Sequence, residues 1–282
     1  MRSADDDGDE PPEHVDPSVL EDRRAVADTF TSAAAAADVR QVPALLCQAC
    51  VELLPITGAS ISITDGTTVR ALWCASDRTA SRLAEAQYTL GDGPCQTALA
   101  RTAPVLAADL TRGPDARRWP VFAHQATELG VQAVFSLPLG TSALAIGTLD
   151  LYRASPGALS DRDLRSALLA RDAVTFAVLT LDSGTGDYAP ADGAGVASWV
   201  EAAEADHTEV HQAVGMVMVQ LAVDPQQALD RLRARAFAQG RTVTEVAEDV
   251  LARALCFRPE AEGERPERPG RFGSDEGDGD RS

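Results

Sequence analysis

The most constraining stretch of this sequence is residues 207–257, in which signals for helix ends follow one another closely. A first apolar pattern ends near Leu221. A second begins after Asp224, an aspartate suited to capping free amides, which is followed by a proline suited to the first helical position. Gly240 ends this second helix, and Thr242 begins a third. The stretch is therefore predicted to form three short helices.

The second and third predicted helices carry apolar residues at helical spacing, which marks one face of each for burial. Glu245 follows Thr242 by three residues and completes a capping-box pattern, and Gln227 stands at the same spacing after Asp224. The apolar positions are Leu229, Leu232 and Ala236 in the second helix, and Val243, Val246, Ala247, Val250 and Ala254 in the third. Facing apolar stripes on short helices predict a small bundle.

This stretch resembles the ANTAR domain, the three-helix RNA-binding module of bacterial transcription antitermination regulators. The resemblance rests on Gln212-Ala213-x-Gly215, Ala228-x-x-x-Leu232-Arg233 and Arg241-x-Val243-x-x-Val246-Ala247, which are specific in combination. It implies an all-α bundle that binds RNA hairpins. The residues that it implies for RNA contact are Gln212, Ala213, Gly215, Arg233, Arg241 and Thr242. Many family members carry a lysine where this chain has Val214, so an RNA contact from that lysine is absent.

The arginines of the predicted bundle divide into two groups. We expect Arg233 and Arg241 to flank the apolar stripe and to stay largely solvated, where a guanidinium can contact a phosphate or stack on an unpaired base. Arg231 and Arg235 lie opposite the stripe and are interpreted as solvated helix surface. Truncating a solvated arginine is expected to cost little stability.

Charge limits the kind of RNA contact that this chain can make. The net charge is −18, and all 25 basic residues are arginine. This net negative charge argues against non-specific electrostatic binding to nucleic acid, because such binding requires the neutralisation of many phosphates. Between residues 206 and 258, however, seven acids stand against six arginines. The predicted RNA module is nearly neutral and would need shape-specific contacts.

The preceding region, residues 23–182, shows helical patterns at both ends and alternating strands between them. Residues 59–75 predict a β-hairpin around Asp65-Gly66, and residues 131–152 predict a second antiparallel pair. A short helix from Pro94 and a strand around Val105 lie between the two pairs. Helices, about five strands and helices again indicate an α+β domain with one sheet face covered.

The order of these elements, with the phrases LGDGPCQTALARTAPVLAADL and AVFSLPLGTSALAIGTLDLYR, resembles a GAF domain over roughly residues 24–182. GAF domains are usually sensors. The resemblance implies a small-molecule pocket on the sheet face opposite the long terminal helices, closed by residues 79–118. No cofactor is identified, because the NKxxF…DE pattern of cyclic-nucleotide binders is absent and Cys95 is followed by glutamine rather than the histidine of bilin binders.

Five cysteines, an odd number, favour reduced thiols over a disulfide framework. Cys95 is a ligand or redox candidate because it stands at a predicted helix N-terminus, where a thiolate is favoured. The alternative is a small residue in a tight turn. Cys47 and Cys50 form a lone CxxC in an apolar helical pattern, which favours buried core cysteines over zinc or redox chemistry.

Outside the two predicted domains the sequence divides into tails, a linker and a seam. The acidic residues 1–22 and residues 258–282 are predicted to be disordered, and residues 183–195 are typical of a linker. From residue 196 apolar residues recur at alternating spacings of four and three, as in a coiled-coil heptad, and we call this row the seam. Its members are Val196, Val200, Ala203, His207, Val210, Val214, Val217 and Leu221, of which only His207 is not apolar. A dimeric coiled coil and a single long amphipathic helix explain this spacing equally well, and we predict a homodimer.

These patterns favour a cytoplasmic regulator, since no apolar run approaches a membrane span and no signal peptide is recognised. In it, a GAF-like domain senses a signal and an ANTAR-like domain acts on RNA by transcription antitermination. No catalytic arrangement is recognised, and no metal site is predicted because His207 and His211 lack a third ligand. The alternative is a small-molecule or redox sensor that signals through protein docking without RNA.

Overall fold

The computed structural model describes residues 17–35, 41–64, 69–141, 145–182 and 208–258. Within these ranges the chain forms ten helices and five strands. The helices are α1 Pro17–Ala35, α2 Val42–Leu53, α3 Arg78–Leu90, α4 Pro94–Arg101, α5 Gly113–Arg118, α6 Pro120–Glu128, α7 Asp161–Asp182, α8 Thr208–Leu221, α9 Pro225–Gln239 and α10 Val243–Leu251. The strands are β1 Gly58–Thr64, β2 Val69–Ala75, β3 Val105–Ala107, β4 Ala133–Gly140 and β5 Ala145–Arg153. The expected linker, the Asp65-Gly66 turn and most of both expected tails lie outside the described residues.

The five strands form one antiparallel sheet in the order β2-β1-β5-β4-β3. Both predicted hairpin pairs are present, β1 with β2 and β4 with β5. The pairing of β1 with β5 joins them, so that Ser60 and Ser136 lie on either side of Asp150. The predicted α+β class and the predicted three-helix bundle are confirmed.

One face of the sheet packs against α1, α2 and α7. Alternate strand residues supply the sheet side of this core because successive side chains point to opposite faces. They are Ala59, Ile61, Ala133, Phe135, Leu137, Leu139, Leu149 and Leu151, and from the helices come Val26, Phe30, Leu46, Cys47, Cys50, Ala167, Ala170 and Val174. Cys47 and Cys50 are buried in this core, as the sequence predicts.

The first helix begins at Pro17, six residues before the predicted start at residue 23, so the predicted disordered tail is too long at its end. A proline is suited to the first helical turn. The early turns also gain a tertiary contact, because Asp22 on α1 accepts hydrogen bonds from Arg162 on α7, with 2.7 Å between Nη2 and Oδ1.

The opposite sheet face is covered as well: the α+β pattern alone predicts one covered face, whereas the GAF resemblance implies closure of the other by residues 79–118, and α3 and α4 cover it as that resemblance implies. Helices α3, α4 and α6 form a second apolar core there with Val134 and Tyr152. Asp77 fixes the start of α3, since its carboxylate accepts the backbone N–H groups of Thr79 and Ala80 at 2.7 and 2.9 Å. Polar strand residues on this face are therefore buried rather than solvated.

The last three helices form the predicted bundle, and their ends are capped as the sequence indicates. The Asp224 carboxylate accepts the N–H of Gln227 at the start of α9, and Gly240 ends that helix with a left-handed backbone, φ 62°. Thr242 and Glu245 form a complete capping box at α10. The prediction for Ala254 is wrong, because α10 ends at Leu251 and Ala254 is exposed beyond it.

The bundle packs directly against the N-terminal domain. Its core residues, among them Val210, Ala213, Val217, Leu232 and Val246, form one apolar cluster with residues of α3 and α4, namely Tyr88, Cys95 and Leu99. The interface therefore includes part of residues 79–118, the segment that the GAF resemblance places over the sheet face opposite α1, α2 and α7.

Candidate functional site

The first RNA motif lies on α8 and faces two ways. Gln212 and Gly215 are exposed, and a Cβ added to Gly215 would meet open space. Val219, one turn further along the same face, is 86% exposed. Ala213 is fully buried and Val214 is half-buried against the bundle core. The outer face of α8 is therefore open, whereas Ala213 has a packing role.

Arg233 does not lie where the sequence suggests. The expectation of a largely solvated side chain is wrong, since Arg233 is only 8% exposed. Its Nε donates to the backbone oxygen of Tyr88 at 3.0 Å, and its guanidinium lies 5.5 Å from the centre of the Tyr88 ring. Burial lowers the pKa of Arg233. The cause is tertiary: α9 packs with this side chain against α3.

Arg241 and Thr242 lie together at the start of α10. Arg241 donates from Nη1 to Asp249 at 2.6 Å and from Nη2 to the backbone oxygen of Glu245 at 2.7 Å. The hydrogen bond to Asp249 raises the pKa of Arg241. The Arg241 side chain remains 34% exposed, so its pairing is at the surface. The Thr242 hydroxyl accepts the N–H of Glu245 at 3.2 Å and therefore caps the helix.

The domain interface is held by polar contacts as well as by the apolar cluster. Two of them join α3 to the start of α10. The hydroxyl of Thr89 accepts the N–H of Val243 at 3.1 Å in a buried position, and the Thr244 hydroxyl donates to Glu85 at 3.2 Å. The sequence does not single out Tyr88, Thr89 or Glu85, because no local signal marks a residue of one domain as a partner for another.

Two clefts run along this interface. A smaller one of about 370 Å³ is lined by Gln96, Asp230 and Arg233, among others. A larger one of about 870 Å³ separates α3 and α6 from the bundle, and Phe237 and Arg241 lie on its bundle side. Contact between the domains is therefore confined to part of their facing surfaces.

The sheet face that α3, α4 and α6 cover carries a buried polar cluster of Ser60, Ser62, Ser136, Thr148 and Asp150. The Asp150 carboxylate accepts the hydroxyls of Ser136 and Thr148, the latter at 3.1 Å. Burial raises the pKa of Asp150 to about 6, although both hydrogen bonds oppose the shift. Alternation in the sequence marks these positions as polar but not as covered.

Cys95 and Gln87 lie above this cluster, where α3 meets α4. The Gln87 side-chain oxygen accepts the N–H of Cys95 at 2.9 Å, whereas the Gln87 amide nitrogen is buried and has no hydrogen-bond partner in the described part of the chain. Cys95 is in the first turn of α4, as predicted, and its side chain is buried, which disfavours a thiolate. Burial, followed by the charge of Asp150, raises the pKa of the Cys95 thiol well above its usual value.

The predicted dimer seam is only partly within the described residues. Val196, Val200, Ala203 and His207 lie outside them. In α8, Val210 and Val217 are fully buried, and Val214 and Leu221 are half-buried, all against the core of the same chain's bundle. This half of the seam is covered without a second copy, because α9 and α10 occupy the face that a coiled-coil partner would need.

Comparison with protein families agrees with both domains. The family model of the GAF domain matches residues 36–178, and that of the ANTAR domain matches residues 200–251. The chain belongs to the GAF domain family and carries an ANTAR domain. Both are regulatory domains. A search of curated proteins finds no match to this chain.

Solved structures resemble the GAF domain. The GAF domain of a phosphoenolpyruvate-protein phosphotransferase from Coxiella burnetii is 16% identical, covering 58% of this chain and 95% of that chain, with a TM-score of 0.45. A domain of a two-component sensor histidine kinase protein from Sinorhizobium meliloti 1021 is 18% identical, covering 52% and 96%, with a TM-score of 0.42. A free methionine-R-sulfoxide reductase from Neisseria meningitidis is 17% identical, covering 57% and 90%, with a TM-score of 0.38.

Among the helices of the described ranges, none is both long and apolar enough to span a membrane. In those same ranges, no group of three or more His, Cys, Asp and Glu side chains is placed to hold a metal ion.

Proposed function

We propose that this protein is a signal-responsive RNA-binding regulator, in which the ANTAR domain binds RNA hairpins and prevents a transcription terminator from forming. The observation that carries the proposal is the ANTAR bundle, whose capped helices enclose one apolar core and leave the motif face of α8 open. The GAF domain receives the signal, a small molecule of unidentified chemistry.

The residues implied for RNA contact differ in availability. Gln212 and Gly215 lie on the open face of α8, and Arg241 is half-buried at the start of α10. Arg241 can exchange a surface carboxylate for a phosphate at little cost, because exposed ion pairs contribute only about 0–1 kcal/mol. Arg233, in contrast, is held against α3. An RNA contact from Arg233 requires the domains to separate.

The proposed regulation follows from this burial. The GAF segment that covers the buried polar cluster, α3 and α4, is also the segment that contacts the ANTAR domain. A signal that shifts α3 would change the fraction of molecules in which the two domains are docked. Because apparent affinity scales with the fraction of molecules in the binding-competent state, the signal would alter RNA affinity without forming any RNA contact itself.

Binding of the full chain to a structured hairpin and to unstructured RNA of equal length tests the proposal. The assay is run at physiological salt, because electrostatic binding at low salt hides specificity. Arg241→Ala should weaken hairpin binding by about 1–3 kcal/mol, the usual cost of a lost base or phosphate contact. Arg235→Ala, an exposed arginine of α9, is the matched control and should leave affinity unchanged. Equal affinity of the wild type for both RNAs would rule out the proposal.

A second candidate function is signalling through protein docking without RNA. The burial of Arg233 and the exposed apolar residues Val219 and Phe237, 86% and 57% exposed, favour it. Val214, in place of the lysine of many family members, also favours it. If the protein signals in this way, its affinity for RNA should be weak and equal for the hairpin and the unstructured RNA. Neither Arg241→Ala nor Arg235→Ala should then change that affinity.

A further inference from the structure

Two cysteines that stand 27 residues apart in the sequence meet between α2 and β2. The Sγ atoms of Cys47 and Cys74 lie 2.9 Å apart, and both cysteines are free. Cys74 Sγ also donates to the backbone oxygen of Pro43 at 3.0 Å, which holds it beside α2. A disulfide requires a sulfur–sulfur distance of ~2.0 Å, so the pair needs to approach by only about 0.9 Å.

The two thiols differ in exposure, which gives them different roles. Cys47 is fully buried, whereas Cys74 is half-buried on β2, an edge strand of the sheet. The hydrogen bond with Cys74, together with burial, raises the pKa of the Cys47 thiol. Cys50, one turn further along α2, is also fully buried, and burial raises the pKa of its thiol. A small oxidant therefore reaches Cys74 first, and Cys47 is the neighbour in contact with it.

We propose that Cys47 and Cys74 are a reversible redox site that closes to a disulfide when the protein meets a hydroperoxide. Cys74 loses its proton to water and its sulfur attacks one peroxide oxygen. The O–O bond breaks, the attacked OH group makes Cys74 a sulfenic acid, and the other oxygen leaves as hydroxide or alkoxide and takes up the proton that Cys74 released, which gives water or an alcohol. Cys47 then attacks the Cys74 sulfur, the S–O bond breaks, and hydroxide leaves with the Cys47 proton as water. The two thiols lose two electrons together, and the hydroperoxide gains them.

The disulfide would join α2 to the end of β2, just before the turn from which α3 begins. Ser76 follows Cys74 by two residues, and its backbone oxygen accepts a hydrogen bond from the side-chain amide of Gln48 on α2 at 2.9 Å. The Ser76 hydroxyl donates at 2.8 Å to Asp77, the residue that caps α3. The other end of α3 contacts the ANTAR domain. Formation of the disulfide would therefore restrain the start of α3, the helix whose other end contacts the ANTAR domain. The regulatory meaning of this restraint rests on the proposed function, but the pairing itself does not.

Peptide mapping of the full chain identifies the pair directly. The chain contains no lysine, so trypsin cuts only after arginine and separates residues 41–70, with Cys47 and Cys50, from residues 71–78, with Cys74. After treatment with hydrogen peroxide and alkylation of free thiols, the two peptides should appear as one linked species that has lost two hydrogen atoms. A reductant such as dithiothreitol should separate them. The exposed Cys256 reports that the oxidant has acted.

Serine variants assign the bond. Cys50→Ser is the matched control and should keep the linked species, whereas Cys47→Ser and Cys74→Ser should each abolish it. An internal bridge within residues 41–70, with Cys74 recovered as an alkylated thiol, would overturn the proposal. So would unlinked peptides from a sample in which Cys256 is oxidised. The wild-type map decides these outcomes even where a variant folds poorly.

Amide hydrogen exchange tests the restraint on α3 without RNA. In the oxidised chain the first turn of α3 should exchange severalfold more slowly than in the reduced chain, and dithiothreitol should restore the original rate. A disulfide that forms while the exchange of α3 is unchanged would overturn the coupling to the ANTAR domain. Loss of RNA binding in every redox state would instead count against the proposed function, and the redox site would stand.

Discussion

Replacing Thr89 with valine should weaken the contact between the domains without changing any residue of the ANTAR domain. The Thr89 hydroxyl accepts the N–H of Val243 at 3.1 Å, and Thr89 is only 6% exposed. Val243 is the first residue of α10, so its N–H has no acceptor within the helix. Valine keeps the shape of threonine but removes the acceptor. In the docked state the variant leaves a buried amide unpaired, which costs about 1–3 kcal/mol.

When the domains separate, water can satisfy the same amide, so the cost falls on the docked arrangement alone. A cost of about 1–3 kcal/mol shifts the docking equilibrium roughly 5–150-fold towards separation. Two measurements follow this shift. Amide hydrogen exchange in the first turn of α10 should become faster. Hairpin affinity should rise, up to the limit at which nearly all molecules are already separated.

Thr127→Val is the matched control. Thr127 is half-buried on α6, and its hydroxyl donates to backbone oxygens of its own helix, at 2.9 Å for Ala123. Its loss leaves no amide of the ANTAR domain unpaired, and exchange in α10 should not change. If Thr89→Val matches Thr127→Val and the wild type in both exchange and hairpin affinity, the docked arrangement does not limit RNA binding, and the reasoning from Arg233 burial fails with it.

Three further predictions concern stability and assembly. Arg233→Ala should lower the free energy of unfolding by about 1–2 kcal/mol, because it removes a charged hydrogen bond and a ring contact. The loss is limited because the variant also removes the buried Nη2, which has no hydrogen-bond partner in the described part of the chain. Arg235→Ala should change the free energy of unfolding by no more than about 0.5 kcal/mol, and urea unfolding measures both variants. Burial raises the pKa of Asp150 to about 6, so the stability that its protonated form contributes is fully present below pH ~4 and is lost as the pH rises through about 6. Asparagine does not titrate, so Asp150→Asn should remove roughly 2–4 kcal/mol of this pH dependence. Measuring the free energy of unfolding at each pH checks this. The full chain should sediment as a homodimer, as the heptad-like spacing between Val196 and Leu221 predicts, and a monomer at every concentration used in the RNA assay would contradict that prediction.

Local signals predict much of the secondary structure correctly. Asp224, Gly240 and Thr242 each act on backbone groups within four residues, so their capping roles are visible without any knowledge of the fold. The two antiparallel pairs follow in the same way from alternation and short connections. The sequence predicts too late a start for α1, because a contact with α7 supports its early turns, and it predicts a helical Ala254 although that helix ends three residues earlier.

The surroundings of the functional residues are harder to predict. The spacing of apolar residues shows that the two faces of a helix or strand differ, but it does not show which other element packs on each face. Arg233 flanks an apolar stripe in the sequence, yet α3 lies over it. Asp150 alternates with leucines as an exposed strand residue would, yet α3 and α4 close over that side of the sheet. In both cases a second element, distant in the chain, converts a polar surface position into a buried one and changes its pKa.

The two domain families, the ends of the bundle helices and the antiparallel pairing can be predicted from the sequence, since all of these depend on neighbours along the chain. The contact of Arg233 with Tyr88, 145 residues away, and that of Cys47 with Cys74 arise from the folding of distant segments onto one another. Such pairs depend on how helices and strands pack in three dimensions. The CxxC spacing predicts that Cys47 and Cys50 are buried in the core, and they are, but the packing of α2 on β2 is what brings Cys74 to Cys47, because contact in a folded chain is set by burial of shared apolar faces and not by separation in sequence.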